Sequence, residues 1–290
     1  MTNSNSESKV WLITGASSGF GRALAELAVL RGDRVVATAR NTAALADLAA
    51  GAPERVLPVR LDVTRPAEIE AAVAAALARF GAIDVVVNNA GFGIVGAVEE
   101  TGDAELRGAF EAMFFGAVAL TRAVLPHMRT RRTGTIVQIT SMGGIITAPG
   151  YGAYCAAKHA LEAVSESLAA EVAPLGIRVL IVEPGAFRTQ LFGAGYRAMP
   201  AIEAYAATVG PTRELGIQLH GAQVGDPARA ARAILDAIAA GAPTLRLPLG
   251  GDAVDGIRAK LARIAADVDH TERVARDTAF QAEGAAPANA

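Results

Sequence analysis

The chain has 290 residues, long enough for one large α/β domain or two small ones. Hydrophobic residues make up 52% and charged residues 19%, with a formal net charge of −2, so core material is ample and no footprint for nucleic acid is present. Cys155 is the only cysteine, and His127, His159, His220 and His270 lack ligand spacing, which excludes an intrachain disulfide and leaves no metal site expected.

Residues 1–8, MTNSNSES, are polar, with neither a basic start nor an apolar run, and read as a disordered tail rather than a signal peptide. The first strand, VWLIT (10–14), leads into TGASSGFG (14–21). A glycine-rich turn between a strand and a helix lets backbone amides approach a phosphate, with the helix N-terminus favouring the negative charge. The spacing is G-x-x-x-G-x-G: Gly15 makes the turn, Gly19 allows close approach, and Gly21 permits helix-on-strand packing.

The second strand, DRVVATA (33–39), ends without a carboxylate to hold a ribose hydroxyl and is followed by Arg40. A planar, permanently charged guanidinium suits a ribose 2′-phosphate, so NADP(H) is favoured over NAD(H). An exposed arginine at the start of the next helix is the plainer alternative. The third strand, RVLPVRLD (55–62), ends at Asp62, able to accept from an adenine amino group or to cap the helix opened by Thr64 and Pro66. IDVVVN (83–88) leads into NNAG, where Asn88 and Asn89 can tie loops together and Gly91 leaves room for a ribose.

A long helical segment over 103–128 precedes the fifth strand, GTIVQIT (134–140), which places Ser141 at its carboxyl end. Such an edge binds ligands in open α/β sheets, although a lone serine there also serves as a turn or cap residue. The helix over YGAYCAAKHALEAVSESLAAEV carries Tyr151, Tyr154 and Lys158. Lys158 lies one turn from Tyr154 and about two from Tyr151. An adjacent ammonium lowers a phenol's pKa and makes it a usable acid or base, so Tyr154 is the coupled partner and Tyr151 a pocket wall or helix start.

IRVLIVE (177–183) is the sixth strand, and TLRLPL (244–249) the seventh. Between them, residues 184–225 hold PGAFRTQLFGAGYRAMP and no convincing strand, which marks a substrate loop at about 186–225. DPARAARAILDAIAAG (226–241) reads as a helix, and a helical segment over 252–275 ends in a polar, alanine-rich tail. Gly32, Gly81 and Gly176 are the expected C-terminal caps. The alternation predicts a single doubly wound, Rossmann-type α/β domain over 9–250, with a mainly parallel seven-stranded sheet in order 3-2-1-4-5-6-7 and a C-terminal helical extension over 251–290. Charges break the apolar stretches short of a membrane span, and a cytoplasmic location is expected.

TGASSGFG, NNAG, a serine ending the fifth strand, YCAAK and PGAFRT, in that order over about residues 9–250, resemble the short-chain dehydrogenase/reductase family in its NADP-preferring form. The resemblance implies that Ser141 orients the substrate oxygen and Tyr154 transfers its proton. Lys158 then lowers the Tyr154 pKa and binds the nicotinamide ribose. It also implies cofactor contacts from Gly15, Ser17, Ser18, Gly19, Phe20 and Gly21. Further contacts fall to Arg40, Asp62, Val63, Asn89, Ala90 and Gly91, with Pro184, Gly185 and Thr189 beside the nicotinamide ring. The implied activity is NADP(H)-dependent alcohol dehydrogenase or carbonyl reductase (EC 1.1.1.-), in a homodimer or homotetramer.

One position departs from the family, which usually has N-x-x-G in the long central helix where this chain reads MFFG, with Met113 in place of Asn. That Asn supports a helix distortion whose backbone carbonyl holds a relay water. Met113 therefore raises a second reading, a catalytically weak NADP-binding sensor or scaffold; plain packing by a flexible thioether is the alternative. Apolar residues expected along the substrate pocket, including Phe92, Ile94, Phe187, Leu191 and Phe192, point to a hydrophobic alcohol or carbonyl compound.

Overall fold

A computed structural model describes residues 8–193, 195–241 and 244–280; the expected N-terminal tail up to residue 7 and the tail residues 281–290 lie outside them. Its organisation starts in β1 (Val10–Ile13), whose side chains alternate between two cores. Trp11 and Ile13 face one core and Leu12 the other, and all three are almost fully buried. A strand that is apolar on both faces belongs inside a parallel sheet covered on both sides.

The chain continues through α1 (Gly19–Leu30), β2 (Arg34–Ala39), α2 (Ala46–Gly51), β3 (Val56–Arg60), α3 (Pro66–Phe80), β4 (Val85–Asn88), β5 (Gly93–Val95) and α4 (Asp103–Phe110). A π-helical turn, Glu111–Phe115, then joins α4 to α5 (Gly116–Arg131). After it come β6 (Gly134–Ile139), α6 (Gly152–Val172), β7 (Ile177–Pro184), β8 (Tyr196–Ala198), α7 (Ala206–Leu219), α8 (Pro227–Ala239), β9 (Arg246–Leu249) and α9 (Gly251–Arg276).

The main sheet has seven strands, ordered β3-β2-β1-β4-β6-β7-β9, all paired in parallel. The strands expected as fifth, sixth and seventh are β6, β7 and β9, so the doubly wound order is the one the sequence predicts. The difference lies in β5 and β8, which pair with each other outside the main sheet, Gly93 opposite Tyr196 and Val95 opposite Ala198. The segment 184–225 therefore does contain a strand, and the helix α7 as well. A three-residue strand is too short to show a period of two, which is why the sequence pattern missed it.

On one face α1 and α8 bury Leu24, Ala28, Ile234 and Ile238 against Ile13, Val87 and Val182. On the other, α3, α5 and α6 bury Ile69, Val73, Leu120, Val124 and Leu168 against Leu12, Val86 and Ile181. The helical stretch Asp103–Arg131 is long and apolar enough by composition to cross a bilayer, but Leu120, Val124 and Met128 on it are core residues. Gly81 ends α3 in a left-handed conformation at φ 74°, as expected of its cap. Ile13 lies beside both Ala37 and Val87, so the ends of β1, β2 and β4 come level at one edge of the sheet. The order of the strands reverses between β1 and β4, with β2 and β3 added on one side and β6, β7 and β9 on the other, which opens a crevice at that edge.

Candidate active site

The turn after β1 is shaped by glycines that have no room for a side chain. Gly15 has φ +64°, and a Cβ there would lie 3.0 Å from Asn89 Nδ2. A Cβ on Gly21 would stand 2.5 Å from the Gly15 carbonyl oxygen, which is how α1 comes to rest on the strand end. Gly19, at φ +56°, faces Thr189 from across the crevice, 3.3 Å from where its Cβ would be. Ser18 stands at the N-cap of α1 without a side-chain cap, and Ser17 and Ser18 are exposed, leaving the first amides of the helix directed at the crevice.

NNAG holds this turn in place. Thr14 Oγ1 accepts from the amides of Asn89 at 2.8 Å and Ala90 at 3.0 Å, while Asn89 Nδ2 donates to the carbonyls of Thr14 at 2.8 Å and Gly15 at 3.2 Å. Asn88 Nδ2 donates to Thr121 Oγ1 at 3.0 Å and fixes the strand end to α5. The tie between loops expected from the asparagines is thus made by Asn89, while Asn88 ties a strand to a helix.

Arg40 is exposed, and among the described residues its guanidinium makes no hydrogen bond or ion pair. Asp62, which Arg40 faces electrostatically, accepts from the Thr64 amide at 3.0 Å and hydroxyl at 2.8 Å. Burial works against its charge, but the Thr64 bonds and the nearby Arg40 and Arg65 hold its carboxyl below the usual range. Asp62 thus closes a turn ahead of α3 rather than capping the helix, since the N-cap is Arg65. Val63 is buried, and a Cβ on Gly116 of α5 would lie 2.8 Å from its Cβ.

Met113 is 1% exposed and sits in the middle of the π-helical turn, where the Gly116 amide donates to the Glu111 carbonyl. The helix distortion therefore persists without the asparagine. Gly91 brings this turn to the chemistry: a Cβ there would lie 3.4 Å from Met113 Cγ and 3.8 Å from Lys158 Nζ.

Ser141, Tyr154 and Lys158 converge beside it. Ser141 follows the end of β6 and caps the short turn Met142–Gly144, its Oγ accepting from the Gly143 amide at 2.9 Å. Gly143 packs so closely that a Cβ would stand 3.1 Å from Tyr154 Cε1 and 3.3 Å from Ser141 Oγ. Lys158 is 4% exposed and donates to the Ile139 carbonyl at 2.8 Å. Its ammonium lies 5.9 Å from the centre of the Tyr154 ring.

Burial lowers the Lys158 ammonium to about 8, with Glu162 opposing. The same burial pushes the Tyr154 phenol up to about 12, with the Ser141 hydroxyl opposing. Helical spacing brings the ammonium and the phenol together, while desolvation sets the direction in which each of them shifts. Tyr151 stands at the start of α6, its ring edge-on to Tyr154 at 6.5 Å; burial and the neighbouring Tyr196 phenol raise it further.

The far wall of the crevice is the segment after β7. The Gly185 amide donates to the Leu249 carbonyl at 2.9 Å, and the Ala186 amide donates to Asp252 Oδ2 at 2.6 Å. Thr189 Oγ1 accepts from the Leu191 amide at 3.3 Å. The rings of Phe20, at the start of α1, and Phe187 meet at 5.1 Å with a tilt of 59°, so Phe187 closes this side of the crevice instead of lining an open pocket. Ile94 is likewise 2% exposed within β5. Phe92 lies under the Arg197 guanidinium at 3.9 Å, and Phe192 against Tyr196 at 5.6 Å.

Residues 9–199 match the family described as short chain dehydrogenase. The chain belongs to that family. An oxidoreductase named BOA17 from Botryotinia fuckeliana is 42% identical over 248 residues, covering 85% of this chain and 90% of that one. A short-chain dehydrogenase from Streptomyces avermitilis has a solved structure that is 53% identical at a TM-score of 0.90, with 94% of this chain and all of that one covered. A short-chain dehydrogenase/reductase from Burkholderia phymatum, solved with NAD, is 26% identical at a TM-score of 0.80, over 90% and 95% of the two chains. One from Burkholderia cenocepacia, solved with NADP, is 26% identical at 0.71, over 91% and 97%. Short-chain dehydrogenases close to this one in structure thus hold either dinucleotide.

Behind Lys158, this short-chain dehydrogenase carries a charged cluster that sequence reasoning overlooked. Arg246 of β9 donates to Glu162 at 2.5 Å, and also to Glu183 and Glu166. Glu162 is 3% exposed and one turn beyond Lys158; Glu183 is 1% exposed near the end of β7. Burial raises the pKa of both carboxyls, against the pull of Arg246. The signal was available: a carboxylate inside the apolar run IRVLIVE and an arginine inside TLRLPL each need a buried partner. Asp252 was missed for a different reason, since an acid in the first turn of a helix ordinarily serves that helix.

Proposed function

We propose that the chain is an NADP(H)-dependent oxidoreductase that interconverts a hydrophobic alcohol and its ketone or aldehyde, with Tyr154 as acid and base. The convergence of Ser141, Tyr154 and Lys158 beside Gly91, at the carboxyl edge of the sheet, is the observation that carries this reading. The cofactor, when bound, supplies the hydride. Its phosphates fit the exposed amides at Gly15–Gly19 and the N-terminus of α1, and its 2′-phosphate fits the unengaged guanidinium of Arg40.

The chain's own residues do the rest. Ser141 orients the substrate oxygen, and Tyr154 exchanges a proton with it at the phenolic oxygen. The phenol is protonated at neutral pH and gives its proton to the substrate oxygen in carbonyl reduction, taking it back in alcohol oxidation. Lys158 holds the base of the site through Ile139, within reach of a ribose at Gly91. Phe92, Leu191 and Phe192 give the substrate an apolar surround.

The catalytically weak reading rests on Met113 alone. The π-helical turn around Met113 keeps the helix distortion and so favours the enzyme. Turnover of NADPH and NADH, side by side against aldehydes, ketones, steroids and retinoids, tests the proposal. NADPH-dependent reduction of a hydrophobic carbonyl is expected; NADPH binding without turnover on any of them, with activity restored by Met113→Asn, would establish the other reading.

A further inference from the structure

α9 leaves the body of the molecule with an apolar stripe and nothing among the described residues against it. Only its base is docked: Ala253 is buried, Val254 and Ile257 are half-buried, and Gly256 lies against Ile146 and Met142. From Leu261 to Arg276 every residue is exposed. Leu261, Ile264 and Val268 are 56%, 43% and 59% exposed. A helix of this length is not held in water by backbone propensity alone, and an apolar stripe on it calls for a partner surface.

The stripe has the spacing of a coiled-coil seam. Val254, Leu261, Val268 and Ala275 recur every seven residues, and Ile257, Ile264 and Thr271 fall between them at the complementary position. The flanking charges select the partner's direction. Lys260 and Asp267 share one flank, and Arg258 and Glu272 the other. Two parallel copies would set Asp267 against the partner's Glu272, like charge on like. Two antiparallel copies, with Leu261 opposite the partner's Ile264, set Lys260 beside the partner's Asp267, and symmetry repeats the pair. Val268 then meets the partner's Ile257 at the docked base.

A bilayer surface is a poorer match, because it selects a basic polar face. Here Asp255, Asp267, Asp269 and Glu272 balance Arg258, Lys260, Arg263 and Arg273. We propose that α9 pairs with α9 of a second copy as an antiparallel two-helix coil, sealed by Leu261 and Ile264 and flanked by ion pairs between Lys260 and the partner's Asp267.

Sedimentation equilibrium of the full chain tests it. Leu261→Asp with Ile264→Asp is expected to halve the assembly's mass while circular dichroism and turnover are kept. Lys260→Asp or Asp267→Lys alone should each weaken association by roughly tenfold, and the two together in one chain should restore it. Nitroxide labels on Arg273→Cys should lie about 30 Å apart in the antiparallel coil, from the rise of a helix, against a short separation in a parallel one. Cys155 is buried and does not compete for the label. Equal mass in all variants would overturn the proposal. So would tighter association of Asp267→Lys alone, or variants that lose binding to anionic phosphatidylserine vesicles with their mass unchanged.

Discussion

Lys158 Nζ lies 5.9 Å from the centre of the Tyr154 ring yet spends its short hydrogen bond, 2.8 Å, on the carbonyl of Ile139. Its position is therefore fixed from the sheet, by the end of β6, and not by the tyrosine. Burial of this arrangement lowers Lys158 to about 8 and raises Tyr154 to about 12. The lysine reaches solution in the unfolded chain, where its value is the ordinary 10.5.

A pH dependence of stability follows from Lys158. Below about pH 8 the lysine is charged in both states, and its burial counts fully against folding. Between about 8 and 10.5 the unfolded chain binds more protons than the folded one, so this residue's contribution to stability rises with pH. Cys155, raised to about 11, acts in the opposite sense above its ordinary 9. Urea unfolding at pH 7.5 and 9.5 should therefore show a relative gain in the wild type over Lys158→Met, on the order of 2 kcal/mol. The same difference between the two proteins at both pH values would refute the depressed lysine.

Arg246 is the cation for three carboxylates, of which Glu162 and Glu183 are buried. Arg246→Met leaves those charges without compensation and should cost about 3 kcal/mol at pH 8. The raised carboxyls can take up protons in acid, so the loss should shrink at pH 6. Thermal or chemical denaturation at the two pH values reads both effects; a loss independent of pH would assign Arg246 a packing role only.

The Arg40 guanidinium makes no hydrogen bond or ion pair among the described residues, and the bond that Arg40 accepts from Arg60 is to its backbone carbonyl, so replacing the side chain should leave the fold intact. Arg40→Asp is expected to raise the KM for NADPH by roughly 10- to 100-fold through charge repulsion, and to leave or improve that for NADH. Initial-rate measurements with both cofactors decide it, and unchanged KM values would remove Arg40 from the cofactor site.

Asp252 joins the start of α9 to the segment after β7 through the Ala186 amide. Asp252→Ala should release that segment, lowering stability by about 1 kcal/mol and reducing the rise in Tm that NADPH produces. Retention of the full NADPH-dependent shift would show that the contact does not organise the cofactor side.

The main strands were readable because most are short apolar runs, rich in valine and isoleucine in β4 and β7, whose side chains alternate between two cores as Trp11, Leu12 and Ile13 do. The glycine turn was readable because Gly15 and Gly21 have no volume to spare, which confines those positions to one residue type. What escaped was long-range or too short for a period. β5 and β8 stand about a hundred positions apart and become a sheet only by meeting. Arg246, Glu162 and Glu183 come from three elements, and each alone resembles an error of patterning. At Tyr154, helical spacing gives the distance to Lys158, while the desolvation that dominates the phenol comes from the surrounding fold.

The central claim is that Tyr154 exchanges the proton. Once a carbonyl substrate is identified, single-turnover reduction by Tyr154→Phe at saturating NADPH is the direct measurement, with NADPH fluorescence reporting cofactor binding. Loss of roughly 10²- to 10⁴-fold in rate with binding retained is the predicted result. Undiminished turnover by Tyr154→Phe would contradict it.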